Sequence, residues 1–200
     1  MTMNEAVLVE RARAGDAKAF VILCARYEAH IYGFAYQMLD SADEAARLTQ
    51  ETFLRAWRAL GQAGAEPNVS VWLHRIAATA CLNILRRRRR MRWLPWTRSR
   101  CTHPADRSVD DTGVAPLDGE AGRTMQRTLA RMRPRHRLAL LLREYAGLSC
   151  ADVGAVLGIS PDATKATLFR AREEFRHHSL RETGGRREAM VRRADPSDAR

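Results

Sequence analysis

The segment Gly147–Arg172, GLSCADVGAVLGISPDATKATLFRAR, decides the reading of this chain. A helix-favouring run is interrupted at Gly158 and restarted by Ser160 and Pro161. Ser149 can cap a short helix over Cys150–Leu157, whose Val153, Val156 and Leu157 face inward. Gly158 supplies the left-handed residue that ends it. Ile159 tucks into the corner, Ser160 caps the next helix, and Pro161 takes its first position, where a missing amide hydrogen costs nothing. This is a helix-turn-helix pattern.

At about 100° per residue, Thr164, Leu168, Ala171 and Phe175 of the second helix form a narrow stripe that can pack on the preceding helices. Lys165, Phe169, Arg172 and Arg176 share a different stripe. A basic row with one aromatic, beginning just after a tight turn, suits a DNA major groove: cations meet phosphates and base edges, and an apolar surface meets thymine methyl groups. An ordinary helical hairpin with a solvated charged face carries the same pattern. The charge of the chain favours the first reading, since 34 Lys and Arg against 23 Asp and Glu leave +11 over 200 residues, a balance that suits a polyanionic partner. Lys18 and Lys165 are the only lysines; so strong an arginine preference fits GC-rich coding and carries no function alone.

Working outward, the rest of the chain is also helical. Apolar residues recur at helical spacing over Asp16–Leu39 (Phe20, Leu23, Tyr27, Ile31, Phe34, Ala35, Met38), preceded by a short helix, Asn4–Ala14, that ends at Gly15. A third helix starts near Ser41 or Asp43, has Glu44 in its first turn, and stops at a Gly-, Pro- and Asn-rich loop, Gly61–Ser70. A fourth starts at about Val71 and runs into Arg86–Arg90, with Leu73, Ile76, Ala77, Ala80 and Ile84 on one face. Residues Met91–Arg123 have no sustained period and read as a flexible linker. Thr124–Met132 and Pro134–Tyr145 are helical patterns before the helix-turn-helix. His177–Arg200 is basic, contains glycine and reads as a frayed, disordered extension. The fold class is therefore all-α: an N-terminal helical bundle and a C-terminal helix-turn-helix domain joined by a linker.

Catalysis finds no support. The six histidines are scattered, no phosphate-binding glycine loop is present, and carboxylates fall mainly on helix surfaces. Cys24, Cys81, Cys101 and Cys150 are far apart, with no metal-ligand spacing beyond the weak Cys101/His103 pair, so no metal and no cofactor are expected; Cys24 and Cys81 read as core fillers. With no signal-peptide pattern and no run of about 18 apolar residues, the chain is expected to be cytoplasmic, without a membrane segment of its own.

Several stretches together resemble a known family. LREYAGLSCADVGAVLGIS followed by KATLFRAREEFR is similar to region 4 of the extracytoplasmic-function (group IV) class of bacterial RNA polymerase sigma factors. GDAKAFVILCARYEAHIYGFAYQML, LTQETFLRAWRAL and WLHRIAATACLNILRRRR resemble region 2 of that class, in the same order. On this resemblance residues 1–90 are the region 2 domain, 91–123 the linker, 124–176 the region 4 domain and 177–200 an extension.

The resemblance implies a dissociable subunit that binds core RNA polymerase and promoter DNA, recognises the −35 element with region 4 and opens the −10 element with region 2, with an anti-sigma factor as a further partner. Residue by residue, it assigns Arg143, Lys165, Phe169 and Arg170 to −35 DNA, where Arg172 and Arg176 join them from the basic stripe. To −10 DNA it assigns Asn68, Ser70, Arg75, Asn83, Arg86 and Arg87, and to core polymerase Leu48, Gln50, Phe53 and Leu54. The sequence departs from the family at Ala46 and Arg47, where acidic residues are usual, at Val69, usually near an aromatic, and at Ala78 and Thr79, usually an arginine-asparagine pair. In region 4, Asp162, Ala166 and Thr167 replace the common glycine, serine and arginine.

The residues alone say something similar about the third helix. Ala45, Thr49, Thr52 and Ala56 form a small-residue stripe suited to close packing, and Leu54 falls among Arg47, Gln50, Glu51 and Arg58 on the other side. A leucine ringed by polar groups is either an ordinary exposed leucine or a small protein-binding hot spot. The arginines 86–90 go all round their helix end; part offsets the helix dipole and part can grip phosphates without regard to sequence. The rival to a sigma factor is a helix-turn-helix regulator that binds DNA without polymerase, and QETFLRAW separates them, since a dimerisation bundle has no reason to contain it.

Overall fold

The computed structural model describes residues 4–60, 68–92 and 119–194. Among these, every regular element is helical, as the all-α reading expects. The chain divides into two units, Met1–Ala115 and Pro116–Arg200.

The first unit consists of α1 (Glu5–Arg13), α2 (Ala17–Leu39), α3 (Ala42–Leu60) and α4 (Val69–Arg92). Asp16 starts α2 by accepting from the amides of Lys18 (3.0 Å) and Ala19 (3.2 Å), while Arg11 binds its other oxygen at 2.6 Å. The Arg11 hydrogen bond, then the Ala19 amide, hold this carboxyl below its ordinary pKa. Ile31, Phe34 and Met38 of α2 are fully buried, each such side chain contributing about 1.5–3 kcal/mol. Against them α3 turns Ala45, Thr49, Thr52 and Ala56, all buried. The two threonines bury their hydroxyls cheaply because each donates one turn back, to Ala45 and Leu48 carbonyls at 2.8 Å.

α4 adds Leu73, Ala77, Cys81 and His74 to this core. The His74 Nδ1 lies 2.7 Å from the Ser70 carbonyl and therefore carries the proton; its ring meets Phe34 edge to face at 5.2 Å. Burial lowers its pKa below 6.5. Arg88, alone of the arginine run, turns inward: it donates to the Leu39 carbonyl at 2.8 Å and pairs with Glu44. Cys81 is buried and Cys24 half-buried, its thiol pushed up to about 11 by burial and then by Glu28; Cys101 lies outside the described residues.

α4 departs from the expected start at Val71. Asn68 is the cap, its Oδ1 accepting from the Val71 amide at 3.2 Å, so Val69 and Ser70 are already helical. The helix also takes Met91 and Arg92 from the expected linker. The linker's middle, 93–118, lies outside the described residues.

The second unit holds α5 (Glu120–Arg131), α6 (Pro134–Leu140), a π-helical turn (Leu141–Tyr145), α7 (Cys150–Leu157) and α8 (Pro161–Ala194). α5 begins four residues before the expected Thr124, so Glu120–Arg123 belong to the helix and not to the linker. The π turn breaks what reads in sequence as one helix, Pro134–Tyr145, with the Ala146 amide bonding five residues back to Leu141 at 2.9 Å. The helix-turn-helix is built as its sequence dictates: Ser149 and Asp152 form a reciprocal capping box, and Gly158 ends α7 at φ 64°. Gly154 lets α7 and α8 touch, since a Cβ there would sit 2.7 Å from Thr164 Oγ1.

α8 does not stop near Arg176. The frayed extension expected from His177 is helical as far as Ala194. Glu182, mostly buried, lies between Arg127 (3.3 Å) and Arg131 (2.9 Å) of α5. These long-range pairs tie the segment to the unit.

Candidate nucleic-acid interface

Three surfaces carry the residues singled out in the sequence. On α8, Thr164, Leu168 and Ala171 are buried and Phe175 half-buried, which turns Lys165, Phe169, Arg172 and Arg176 outward. Phe169 is 66% exposed, a large apolar side chain left to water amid cations. Each cation has a carboxylate: Lys165 pairs with Asp162 at 3.6 Å, Arg172 with Glu144 at 2.7 Å, and Arg176 with Glu173. Arg170 is exposed but lies about 140° around the helix from Lys165, so the structure does not bring it to the same stripe. Arg143 spends one arm inside the protein, its Nη1 donating to the Leu148 carbonyl at 2.8 Å.

On α4, Arg75, Thr79, Asn83, Arg86 and Arg90 are exposed and fall within about 80° of one another; Arg87 is exposed beside them. Asn83 Oδ1 accepts from Arg86 Nη1 at 3.5 Å. Asn68 and Ser70 stand at the other end of the helix, Asn68 as its exposed cap and Ser70 half-buried with Oγ 3.3 Å from His74 Nδ1. Residues 61–67 of the expected loop, Gly61–Ser70, lie outside the described residues. Of the positions that depart from the family, Val69 and Ala78 are buried, and Thr79 donates its hydroxyl to the Arg75 carbonyl at 2.9 Å.

On α3, Gln50 and Leu54 are exposed, with Leu54 at 56%. Arg47, Glu51 and Arg58 surround it, and Trp57, one turn on, is partly exposed and packs on Phe20 with ring centroids 5.0 Å apart. Leu48 is corrected: it is 1% exposed and belongs to the core. The physical reason is its angle, since it sits about 60° from Ala45, within the small-residue stripe that packs on α2. Phe53 is half-buried and lines a small apolar cavity with Val9, Leu23 and Trp72, so Gln50 and Leu54 are what remains of the proposed partner face. Sequence reading missed Glu144 and Glu182, whose partners lie 28 residues or more away.

Among the described residues no helix is long and apolar enough to cross a membrane. Sequence comparison places Sigma-70 region 2 on residues 23–91 and Sigma-70 region 4 on residues 123–175. The chain is 32% identical over 174 residues to the RNA polymerase sigma-H factor of Pseudomonas aeruginosa, covering 83% of this chain and 89% of that protein. It belongs to the extracytoplasmic-function RNA polymerase sigma factors. The ECF RNA polymerase sigma-E factor of Haemophilus influenzae is 28% identical over 179 residues, 86% of this chain and 93% of that one. The sigma factor RpoE of Bartonella quintana, solved in complex with the anti-sigma factor NepR, has the same fold, with TM-score 0.61 and 21% identity over 82% of this chain and 96% of that one. The sigma factor thus has both matched regions in the expected order, which disfavours a helix-turn-helix regulator independent of polymerase. Region 4 as matched ends within α8, and α8 continues past it to Ala194.

Proposed function

We propose that this sigma factor binds core RNA polymerase through Gln50 and Leu54 of α3, with Arg47 and Trp57 at the edge of the contact. It reads the −35 element with α8 and opens the −10 element with α4. Lys165 and Phe169 lie at the N-terminal end of α8, where a recognition helix reaches base edges. Arg172 and Arg176 lie further along, where phosphates are nearer, and Arg143 and Arg170 serve the backbone from outside that stripe. Arg75, Asn83, Arg86 and Arg87 hold the −10 strand, with Asn68 and Ser70 at the head of the helix. The chain acts by binding and carries no chemistry of its own, and it works in the cytoplasm, where core polymerase and promoter DNA are found. An anti-sigma factor is a further partner, as the Bartonella quintana protein has one.

The observation that supports this best is the exposed stripe of α8: an unburied phenylalanine between cations, beside a stripe whose Thr164, Leu168 and Ala171 are buried in the unit. The test is run-off transcription from core polymerase with and without the purified chain, on a randomised promoter library. Transcripts that depend on the chain and share two sequence elements are expected. A chain that binds the library but yields no transcripts with core polymerase would contradict the reading.

A further inference from the structure

Counting charges along α8 overstates how positive its reading face is. Asp162 and Glu173 pair with cations three residues away in the same helix, contacts that form and break easily and contribute little. Glu144 is different. It stands on the π turn, 28 residues before its partner, and one of its carboxylate oxygens accepts from both Nε (3.2 Å) and Nη2 (2.7 Å) of Arg172. Both side chains are about half exposed, so the core does not require the pair. Its neighbour Arg143 is fastened to the Leu148 carbonyl, which holds this turn against the start of the helix-turn-helix and keeps the Glu144 carboxylate beside the stripe.

A DNA phosphate approaching Arg172 must therefore compete with a carboxylate already seated on its guanidinium. Phosphate contacts supply the sequence-independent part of binding, and each neutralised phosphate adds about 0.9 to the slope of log affinity against log salt. Resting on the reading that α8 enters the groove, we propose that Glu144 sets the strength of backbone binding by region 4, as an internal competitor for phosphate at Arg172. It takes away one phosphate contact and leaves base preference to Lys165 and Phe169. For a protein facing about 10⁶ or more competing genomic sites, a lower backbone affinity keeps it off non-promoter DNA.

The test uses the full-length chain and a random-sequence duplex, with binding measured by fluorescence anisotropy from 50 to 200 mM salt and thermal unfolding measured beside it. Glu144→Gln keeps the shape of the side chain and removes its charge. It is expected to steepen the salt slope by about one unit, which adds about a fourfold gain in affinity between 200 and 50 mM salt. Combined with Arg172→Ala, Glu144→Gln is expected to lose that gain, so that the double variant and Arg172→Ala alone share one slope. Base preference, read by selection from a randomised library, is expected to stay the same for Glu144→Gln. An unchanged slope, weaker binding, or a lost preference at one base would each overturn the proposal, the last two making Glu144 a positioning or base-reading residue. Lys165→Ala in the same selection separates the two levels. If it alters preference while Glu144→Gln does nothing, the groove reading stands and this inference fails; if it leaves preference unchanged, both fail.

Discussion

The exposed stripes of two cationic helices, α4 in the first unit and α8 in the second, treat their cations in opposite ways. On α4, Arg88 goes to Glu44, and among the described residues no carboxylate pairs with Arg75, Arg86, Arg87, Arg89 or Arg90. On α8, Lys165, Arg172 and Arg176 each have one. Free cations favour any phosphate, whereas compensated cations leave the choice of site to whatever reads base edges. On the proposed reading, net charge sets where DNA binds and charge pairing sets how selectively. The difference suits a division in which α4 grips a strand and α8 finds a sequence.

That comparison holds only if each unit keeps its own surface on its own core, and substitutions can break it one unit at a time. Leu48→Ala is expected to cost the first unit about 2–5 kcal/mol, seen as a lower transition in calorimetry, with the second unit unmoved. Six residues on, Leu54→Asp is expected to leave that transition in place and to weaken binding to core polymerase by about 2–4 kcal/mol, roughly 30- to 1,000-fold in Kd; unaltered binding would return Leu54 to the ordinary exposed leucines. Gly154→Ala pushes a Cβ into Thr164 Oγ1 and to within 3.2 Å of the Ile159 carbonyl, and is expected to cost the second unit about 1–3 kcal/mol. If either core substitution moves both transitions together, the units are not independent and the comparison fails.

The smallest effect is the response to pH. His74 is buried with its pKa held below 6.5, so the folded first unit prefers the neutral ring. Its contribution is fully present above pH 6.5 and is lost as protons bind the unfolded state below that value. In the second unit, burial raises the Glu174 carboxyl, but the Arg133 amide and His136 outweigh it and hold the pKa below 4.5; that contribution is present above pH 4.5 and lost below it. Following both unfolding transitions from pH 7 to pH 5 should lower that of the first unit, and His74→Phe should remove the dependence. A first-unit transition that stays level over that range would show that His74 charges without penalty.

Much of this was legible in the sequence because it is written in local chemistry. Ser149, Gly158, Ser160 and Pro161 set the helix-turn-helix within a residue, since caps and left-handed turns depend on near neighbours. The inward stripe of α8 follows from spacing alone. Leu48 was legible too, as its angle puts it with Ala45 and Thr52, but the resemblance placed it on the partner face. The start of α4 was missed because Asn68, in a Gly- and Pro-rich stretch, looks like loop and acts as a cap. What sequence cannot carry is pairing across distance: Glu182 with Arg127 and Arg131 secures a helix where the glycine-containing sequence reads as a frayed extension, and Glu144 meets Arg172 from a π turn.

The division between gripping and reading is tested most directly by selecting promoters from a randomised library with holoenzyme carrying the native chain, Lys165→Ala or Arg86→Ala. Lys165→Ala is expected to relax preference at one −35 position, a loss of about 1–3 kcal/mol there. Arg86→Ala is expected to weaken all sequences alike and lower the salt slope by about one unit. A Lys165→Ala holoenzyme with unchanged −35 preference, or an Arg86→Ala one that loses preference at particular bases while keeping its salt slope, would contradict the account.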